Sequence, residues 1–245
     1  MKIVGIIPSR YASTRLPGKP LADIAGKPMV QRVYEQAKRS SLLTDVIVAT
    51  DDARIEEAVK KFGGNVVLTP DDIQSGSDRI ALAARDTGAG IVVNIQGDEP
   101  LIDPRVIDRT IEALIAEPAA VVGTAVKRIT SADDIFNSNI VKVVLDKKNR
   151  ALYFSRSPIP HLRDIADSGN WLNVTAMYKH FGLYVYRVDF LRQYTALPVS
   201  PLEQAEKLEQ LRILENGFTI QCVITEYESI PVDTPEDLEK VRMYF

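Results

Sequence analysis

Short apolar runs alternate with helix-length amphipathic stretches through the first half of the 245-residue chain. Runs at 2–7, 45–49, 65–68, 91–95 and 120–126 are dense in Val and Ile, while 28–40, 52–62, 77–86 and 104–116 carry apolar residues at helical spacing. Nearly continuous β-branched strands are what a sheet covered on both faces demands. Strand–helix alternation predicts parallel pairing with right-handed crossovers. Helix starts are marked locally by Asp52, by Ser75 or Ser77, and by Pro104. After about residue 127 the rhythm changes: strand-like pieces at 140–145 and 151–155 flank a turn composition at 146–149, and 157–178 shows no regular period. A strand at 180–186, helices at 187–194 and 202–216, a strand at 219–225 and a final helix at 235–243 follow. No Pro/Gly/Ser-rich linker separates the halves. The pattern predicts one α/β domain, a mostly parallel open sheet with helices on both faces and a mixed α/β insertion in the second half.

Composition narrows the partners more than the fold. Hydrophobic residues make up 45% of the chain and charged residues 26%, ordinary for a globular protein with its own core. A net charge of −3 and a pI near 5.6 exclude a general attraction to nucleic acid or an anionic membrane. An anionic ligand therefore needs a local cluster of cations. No apolar run approaches the roughly 20 residues of a membrane span, and the first residues lack the features of a signal peptide. Cys222, the single cysteine, alternates with Ile220 and Ile224 and reads as a small core residue in a reducing compartment. A cytoplasmic protein without membrane insertion is the expectation.

A cluster of the required kind follows the first strand. Pro8 and Ser9 lead into a loop that strings Arg10, Arg15 and Lys19 between Ala12, Ser13, Thr14 and Gly18. Small residues let backbone N–H groups approach an anion and the cations supply countercharge, and a first-strand exit is where an open α/β sheet holds a polyphosphate. Nucleotide phosphates need a metal. Asp98, in Q-G-D-E-P directly after the 91–95 strand, points into the same crevice as a ligand for Mg2+. Gly97 permits an unusual backbone angle there and Pro100 ends the strand. Asp233, in P-V-D-T-P before the final helix, reads either as a second ligand or as that helix's cap. Ser75-Gly76-Ser77-Asp78-Arg79 is a second glycine-containing loop feeding a helix, either a plain N-cap or a contact to base or phosphate. In the second half Arg156 and His180 lie at strand ends that suit a pocket, whereas Glu209 and Gln210 lie on a helix that reads equally as a solvated face. Two histidines and one cysteine make no zinc site, and neither a G-x-S-x-G elbow nor a Walker loop occurs.

Taken in order, these segments resemble the 3-deoxy-D-manno-octulosonate (Kdo) cytidylyltransferases. The resemblance runs from I-P-S-R-Y-A-S-T-R-L-P-G-K-P through I-V-A-T-D, S-G-S-D-R, Q-G-D-E-P, V-K-V-V-L-D and A-L-Y-F-S-R-S-P-I-P. It ends with H-F-G-L-Y, S-P-L-E-Q, L-E-Q-L-R and V-D-T-P-E-D-L. It implies a nucleotide-diphospho-sugar transferase-like, Rossmann-like fold that transfers CMP from CTP to Kdo for lipopolysaccharide biosynthesis, with Mg2+ as cofactor and a homodimer as assembly. On that footing 1–127 is mainly nucleotide-binding, 128–225 mainly sugar-binding and dimer-forming, and 226–245 returns to the metal. Arg10, Lys19, Asp98 and Asp233 become the catalytic set, with Asp98 and Asp233 holding the metal. Pro8, Ser9, Arg10, Arg15, Lys19, Ser75, Gly76, Ser77 and Arg79 become nucleotide contacts. Gln96, Arg156, His180, Tyr184, Glu209 and Gln210 become sugar contacts, and the irregular region around Trp171 part of the dimer contact. The alternatives are a cytidylyltransferase for 8-amino-Kdo or sialic acid, and a nucleotide-binding protein without catalysis.

Overall fold

The computed structural model describes every residue except 13–14, 74 and 166–167, so Ser13 and Thr14 of the basic loop lie outside the described residues. The strands are β1 (Ile3–Ser9), β2 (Asp23–Ile24), β3 (Lys27–Pro28), β4 (Asp45–Thr50), β5 (Asn65–Leu68), β6 (Ile91–Asn94), β7 (Ala120–Arg128), β8 (Lys142–Leu145), β9 (Ala151–Ser155), β10 (Tyr178–Arg187) and β11 (Thr219–Ile224). The helices are α1 (Met29–Ala37), α2 (Ala53–Lys61), α3 (Gly76–Ala84), α4 (Pro104–Ala116), α5 (Ala132–Phe136), α6 (Trp171–Val174), α7 (Val188–Ala196), α8 (Pro201–Glu206), α9 (Gln210–Glu215) and α10 (Pro235–Arg242). Two compact units result. The first comprises Met1–Ile111, Leu183–Thr195 and Ser229–Phe245, and the second Glu112–Gly182 and Ala196–Glu228.

In the first unit β6, β1, β4 and β5 pair in parallel in that order, as the β-branched runs require, and Tyr184–Arg187 of β10 runs antiparallel along β6. Ile91, Val92 and Val93 are all fully buried, so β6 is covered on both pleats. Each such side chain stabilises the fold by about 1.5–3 kcal/mol relative to exposure. The helices α1, α2 and α3 each bury one apolar stripe: Met29, Val30 and Val33; Ile55 and Val59; Ile80, Ala83 and Ala84. Asp52 caps α2 as expected, accepting the Arg54 N–H at 2.9 Å, and Lys60 and Lys61 sit in its last turn, where the helix dipole favours cations.

In the second unit β11 pairs in parallel with β7, and β8 lies antiparallel to β9 and to the first residues of β10. Cys222 is buried here, and burial pushes its thiol up to about 12, which makes it the inert core residue expected. Two findings depart from the pattern. The 202–216 segment is not one helix: α8 and α9 are separated at Lys207, which adopts φ 54 and ψ 47. The cause is an ion pair that folds α9 back on α8, with the Arg212 guanidinium donating to both Glu203 carboxylate oxygens at 2.7 and 2.6 Å. Both side chains are almost out of solvent, so the turn must accommodate the pair. The irregular stretch also has an interior of its own. Trp171 is buried against Ile129, Ile135 and Met177 with Leu162 and Ile165 beside them, and its indole N–H donates to the Ile165 carbonyl at 3.1 Å. That tryptophan is a core residue of its unit.

Candidate active site

The described residues of the basic loop are set by how the chain leaves β1 and turns at Gly18. Gly18 turns back to donate its N–H to the Tyr11 carbonyl at 3.2 Å and takes φ 68, a left-handed angle that glycine adopts without penalty. A Cβ at Gly18 would lie 3.2 Å from the Tyr11 ring, and the Arg54 guanidinium stacks 3.3 Å from the centroid of that ring. Tyr11 is therefore the strut of the loop. Sequence reasoning missed it, although the L-P-G-K turn that it packs against was a signal for a close neighbour. Just past Gly18, a single 3-10 turn at Lys19–Leu21 sends Lys19 inward.

The β6 exit approaches the β1 exit through bare backbone. A Cβ on Gly97 would stand 2.8 Å from the Pro8 carbonyl oxygen and 3.3 Å from the Ser9 hydroxyl. Gly97 is required for this close approach and not for an unusual backbone angle, because its φ lies in the ordinary range. The approach brings Asp98 to Lys19, whose Nζ donates to Asp98 Oδ2 at 2.8 Å and to Asp233 Oδ1 at 3.1 Å. Arg15 Nη2 reaches Asp233 Oδ2 at 3.1 Å. Asp233 is available for this because it is not the cap of α10. That role belongs to Thr234, whose hydroxyl accepts the Asp237 N–H at 3.2 Å while Asp237 Oδ2 accepts the Thr234 N–H at 3.1 Å. Val232 N–H donates to the Asp98 carbonyl at 2.9 Å and pins the two carboxylate-bearing segments together. Burial by itself lowers the pKa of Lys19, but Asp98 and then Asp233 outweigh it and hold the ammonium above the ordinary lysine value.

These groups line one cavity of about 420 Å³, to which Pro8, Ser9, Arg10, Arg15, Lys19, Gly76, Gln96, Asp98 and Asp233 all contribute. The S-G-S-D-R segment enters it only at Gly76, the first residue of α3. Ser75 is the cap, its Oγ accepting the Asp78 N–H at 3.0 Å, and Ser77 is buried. Arg79, expected at the nucleotide, is fully buried, donating through Nη2 to Asp51 Oδ2 at 2.6 Å and through Nη1 to the Thr69 hydroxyl. A guanidinium taken out of water has to be paired. This one ties α3 to the chain just beyond β4 and β5, and its charge goes to the protein instead of a ligand.

The remaining candidates fall on separate elements. Tyr184 is half-buried on β10 in register with Asn94, its ring stacked on Tyr186 at 5.9 Å. In the second unit Arg156 follows β9, with Nε donating to the Glu206 carbonyl at 2.8 Å and Nη1 to the Ser138 carbonyl at 3.1 Å. His180 Nε2 lies 3.0 Å from the Thr124 hydroxyl and its ring meets Phe154 edge-on at 5.0 Å. Desolvation pushes its pKa down to about 3, so the imidazole is neutral and offers a hydrogen bond, not a charge. Glu209 is exposed at the start of α9, and the neighbouring Gln210 is buried with no hydrogen-bond partner for Nε2.

Residues 4–227 match the cytidylyltransferase family. A 3-deoxy-manno-octulosonate cytidylyltransferase of Geobacter metallireducens is 54% identical, with 98% of this chain and 96% of that protein covered. The corresponding protein of Parabacteroides distasonis is 55% identical across 100% of this chain and 98% of its own length. A solved CMP:2-keto-3-deoxy-manno-octonic acid synthetase complexed with CTP superposes with a TM-score of 0.93 at 45% identity, covering 100% of this chain and 98% of that one. The chain belongs to the cytidylyltransferase family, among the 3-deoxy-manno-octulosonate cytidylyltransferases.

Proposed function

We propose that this chain transfers CMP from CTP to Kdo, releasing pyrophosphate and providing an activated sugar for lipopolysaccharide synthesis, as a cytoplasmic homodimer that uses Mg2+. The observation that carries the reading is the meeting of the loop cations Lys19 and Arg15 with Asp98 and Asp233 in one cavity. Oxygens of both carboxylates converge on one cation, the Lys19 ammonium, and a donor set made of carboxylate oxygen suits Mg2+. Two protein carboxylates are enough for Mg2+, which completes its shell with phosphate and water. Bound there, the metal supplies a Lewis acid at the phosphate oxygens and lowers the pKa of the sugar hydroxyl.

The chain's own residues position the reactants and neutralise charge. Arg10, Arg15 and Lys19, with the α3 N-terminus at Gly76, hold the β- and γ-phosphates and stabilise the departing pyrophosphate. Lys19 exchanges its carboxylate partners for phosphate oxygens when CTP is seated, which frees Asp98 and Asp233. Gln96, Tyr184, Arg156, His180, Glu209 and Gln210 are the sugar contacts that the family resemblance implies. Arg156 faces the sugar's carboxylate as a cation and His180 a hydroxyl as a neutral partner. The anomeric oxygen attacks the α-phosphorus as the bond from that phosphorus to the bridging oxygen of pyrophosphate breaks, and the hydroxyl proton passes to water.

Pyrophosphate release from CTP tests the proposal. Release that requires Kdo and Mg2+ together, and that fails with UTP, is the expected result. Faster release with 8-amino-Kdo or sialic acid than with Kdo would move the assignment to that acid. No release with any ulosonic acid would leave a nucleotide-binding protein without catalysis.

A further inference from the structure

The V-K-V-V-L-D segment lies in the second unit, on β8. Its lysine, Lys142, opens β8 and is fully buried, an arrangement proteins avoid unless the charge is used. Its Nζ donates to the Asn137 carbonyl at 2.9 Å and to the Ile140 carbonyl at 2.6 Å, closing the short loop between α5 and β8. No carboxylate stands within ion-pair distance of it among the described residues. Ser138, between those two carbonyls in sequence, is where Arg156 Nη1 donates, at 3.1 Å. The β8–β9 ladder sets Lys142 directly opposite Ser155, the residue before Arg156. Burial and then the neighbouring Arg156 charge hold the Lys142 pKa below the ordinary lysine value, so the two cations feel each other.

The surroundings of Arg156 show what the loop contributes. Its guanidinium rests on carbonyl oxygens of Glu206, Ser138 and Lys207 at 2.8, 3.1 and 3.5 Å. The Glu206 carboxylate is taken by the Ser155 hydroxyl at 2.6 Å and the Arg156 backbone N–H at 2.9 Å. Carbonyl seats fix the plane of a guanidinium without neutralising it, which leaves its charge for an anion. One of those seats belongs to a loop that Lys142 holds shut.

We infer that Lys142 is a positioning residue: its ammonium clamps the 137–140 loop so that the Ser138 carbonyl orients Arg156 toward the carboxylate of the sugar acid. The inference rests on the reading of Arg156 as a sugar contact. Steady-state kinetics of the full chain with Kdo and CTP varied separately test it. Lys142→Met removes the donors and keeps the stem. It raises the KM for Kdo about ten-fold and leaves the KM for CTP in place, because a misdirected arginine loses a charge-assisted bond to one substrate only. If Lys142→Met does not fold by circular dichroism, Lys142→Gln, which keeps two N–H donors on a shorter stem, carries the same test with a smaller rise. In an Arg156→Lys background the Lys142 substitution adds little, since both act on one contact. A folded Lys142 variant with unchanged Kdo KM, or with both KM values raised alike, overturns the inference while an elevated Kdo KM in Arg156→Lys keeps the reading of Arg156. An unchanged Kdo KM in Arg156→Lys overturns that reading and the inference with it.

Discussion

Two clusters of charge, one in each unit, are held in opposite ways. In the first, Lys19, Arg15, Asp98 and Asp233 neutralise one another across a cavity and stay partly open to solvent. In the second, Arg156 and Lys142 are held by backbone carbonyls, and the ion pair between Arg212 and Glu203 is shut away between two helices. Side chains paired with one another can exchange partners when a polyanion and its metal arrive. A guanidinium seated on carbonyls keeps one direction and one charge throughout. The first arrangement suits a ligand whose charge changes during reaction, the second a ligand that must be recognised in one pose.

Six substitutions break or sharpen that contrast. Asp98→Asn has the largest effect: activity in the pyrophosphate assay falls about hundred- to thousand-fold, as when a preorganised electrostatic group is lost, while the melting temperature barely moves. Asp233→Asn behaves alike, since Thr234 keeps the helix cap, and the double variant loses less than the two separate losses combined. Near-normal turnover of Asp233→Asn at limiting Mg2+ would remove that residue from the metal site. Arg79→Met comes next and strikes folding instead, because it leaves Asp51 without its partner. Unfolding by urea should show a loss of about 3 kcal/mol, with the KM for CTP unchanged in the folded enzyme. A raised CTP KM at normal stability would return Arg79 to the nucleotide.

Lys19→Ala weakens CTP use about ten- to hundred-fold, and Arg15→Ala does so by much less. Side-chain exposures of 18% and 64% separate the two, since the more exposed pair is screened by water. Equal losses would show that exposure does not decide their roles. An effect confined to acid pH comes from His180. Its folded pKa of about 3 lies below the ordinary histidine value of 6.5, so between those limits the unfolded chain takes up a proton that the folded chain refuses. Stability therefore falls as pH drops from 6.5 toward 3, and His180→Asn flattens that slope in urea titrations at successive pH values.

Much of this was legible in the sequence. The strands at 45–50, 65–68 and 91–94, the helix at 104–116 and the convergence of the basic loop with Asp98 follow from β-branched runs and from strand exits that face one crevice. The break at Lys207 was not legible. It depends on Arg212 reaching Glu203 across a turn, and a non-glycine residue in the left-handed region carries no local sequence signal. The β2–β3 hairpin was hidden for a similar reason: it has two residues per strand, and its turn uses positive φ at Ala25 as well as Gly26. Arg79 was misread because S-G-S-D-R has the composition of a ligand loop, and only its neighbours Asp51 and Thr69 reveal that the arginine points inward. The second-half candidates were individually plain, since a helix face with Glu209 and Gln210 looks the same in one dimension whether it is solvated or functional.

Position 97 is a place where heredity has almost no latitude. With the Pro8 carbonyl 2.8 Å from where a methyl group would begin, even alanine wedges the ends of β1 and β6 apart and shifts Asp98 away from Lys19. A side chain at this position therefore disturbs the Lys19–Asp98 contact whatever else in the chain stays the same. A residue such as Gln210, on α9, can by contrast be replaced without moving the ends of β1 and β6.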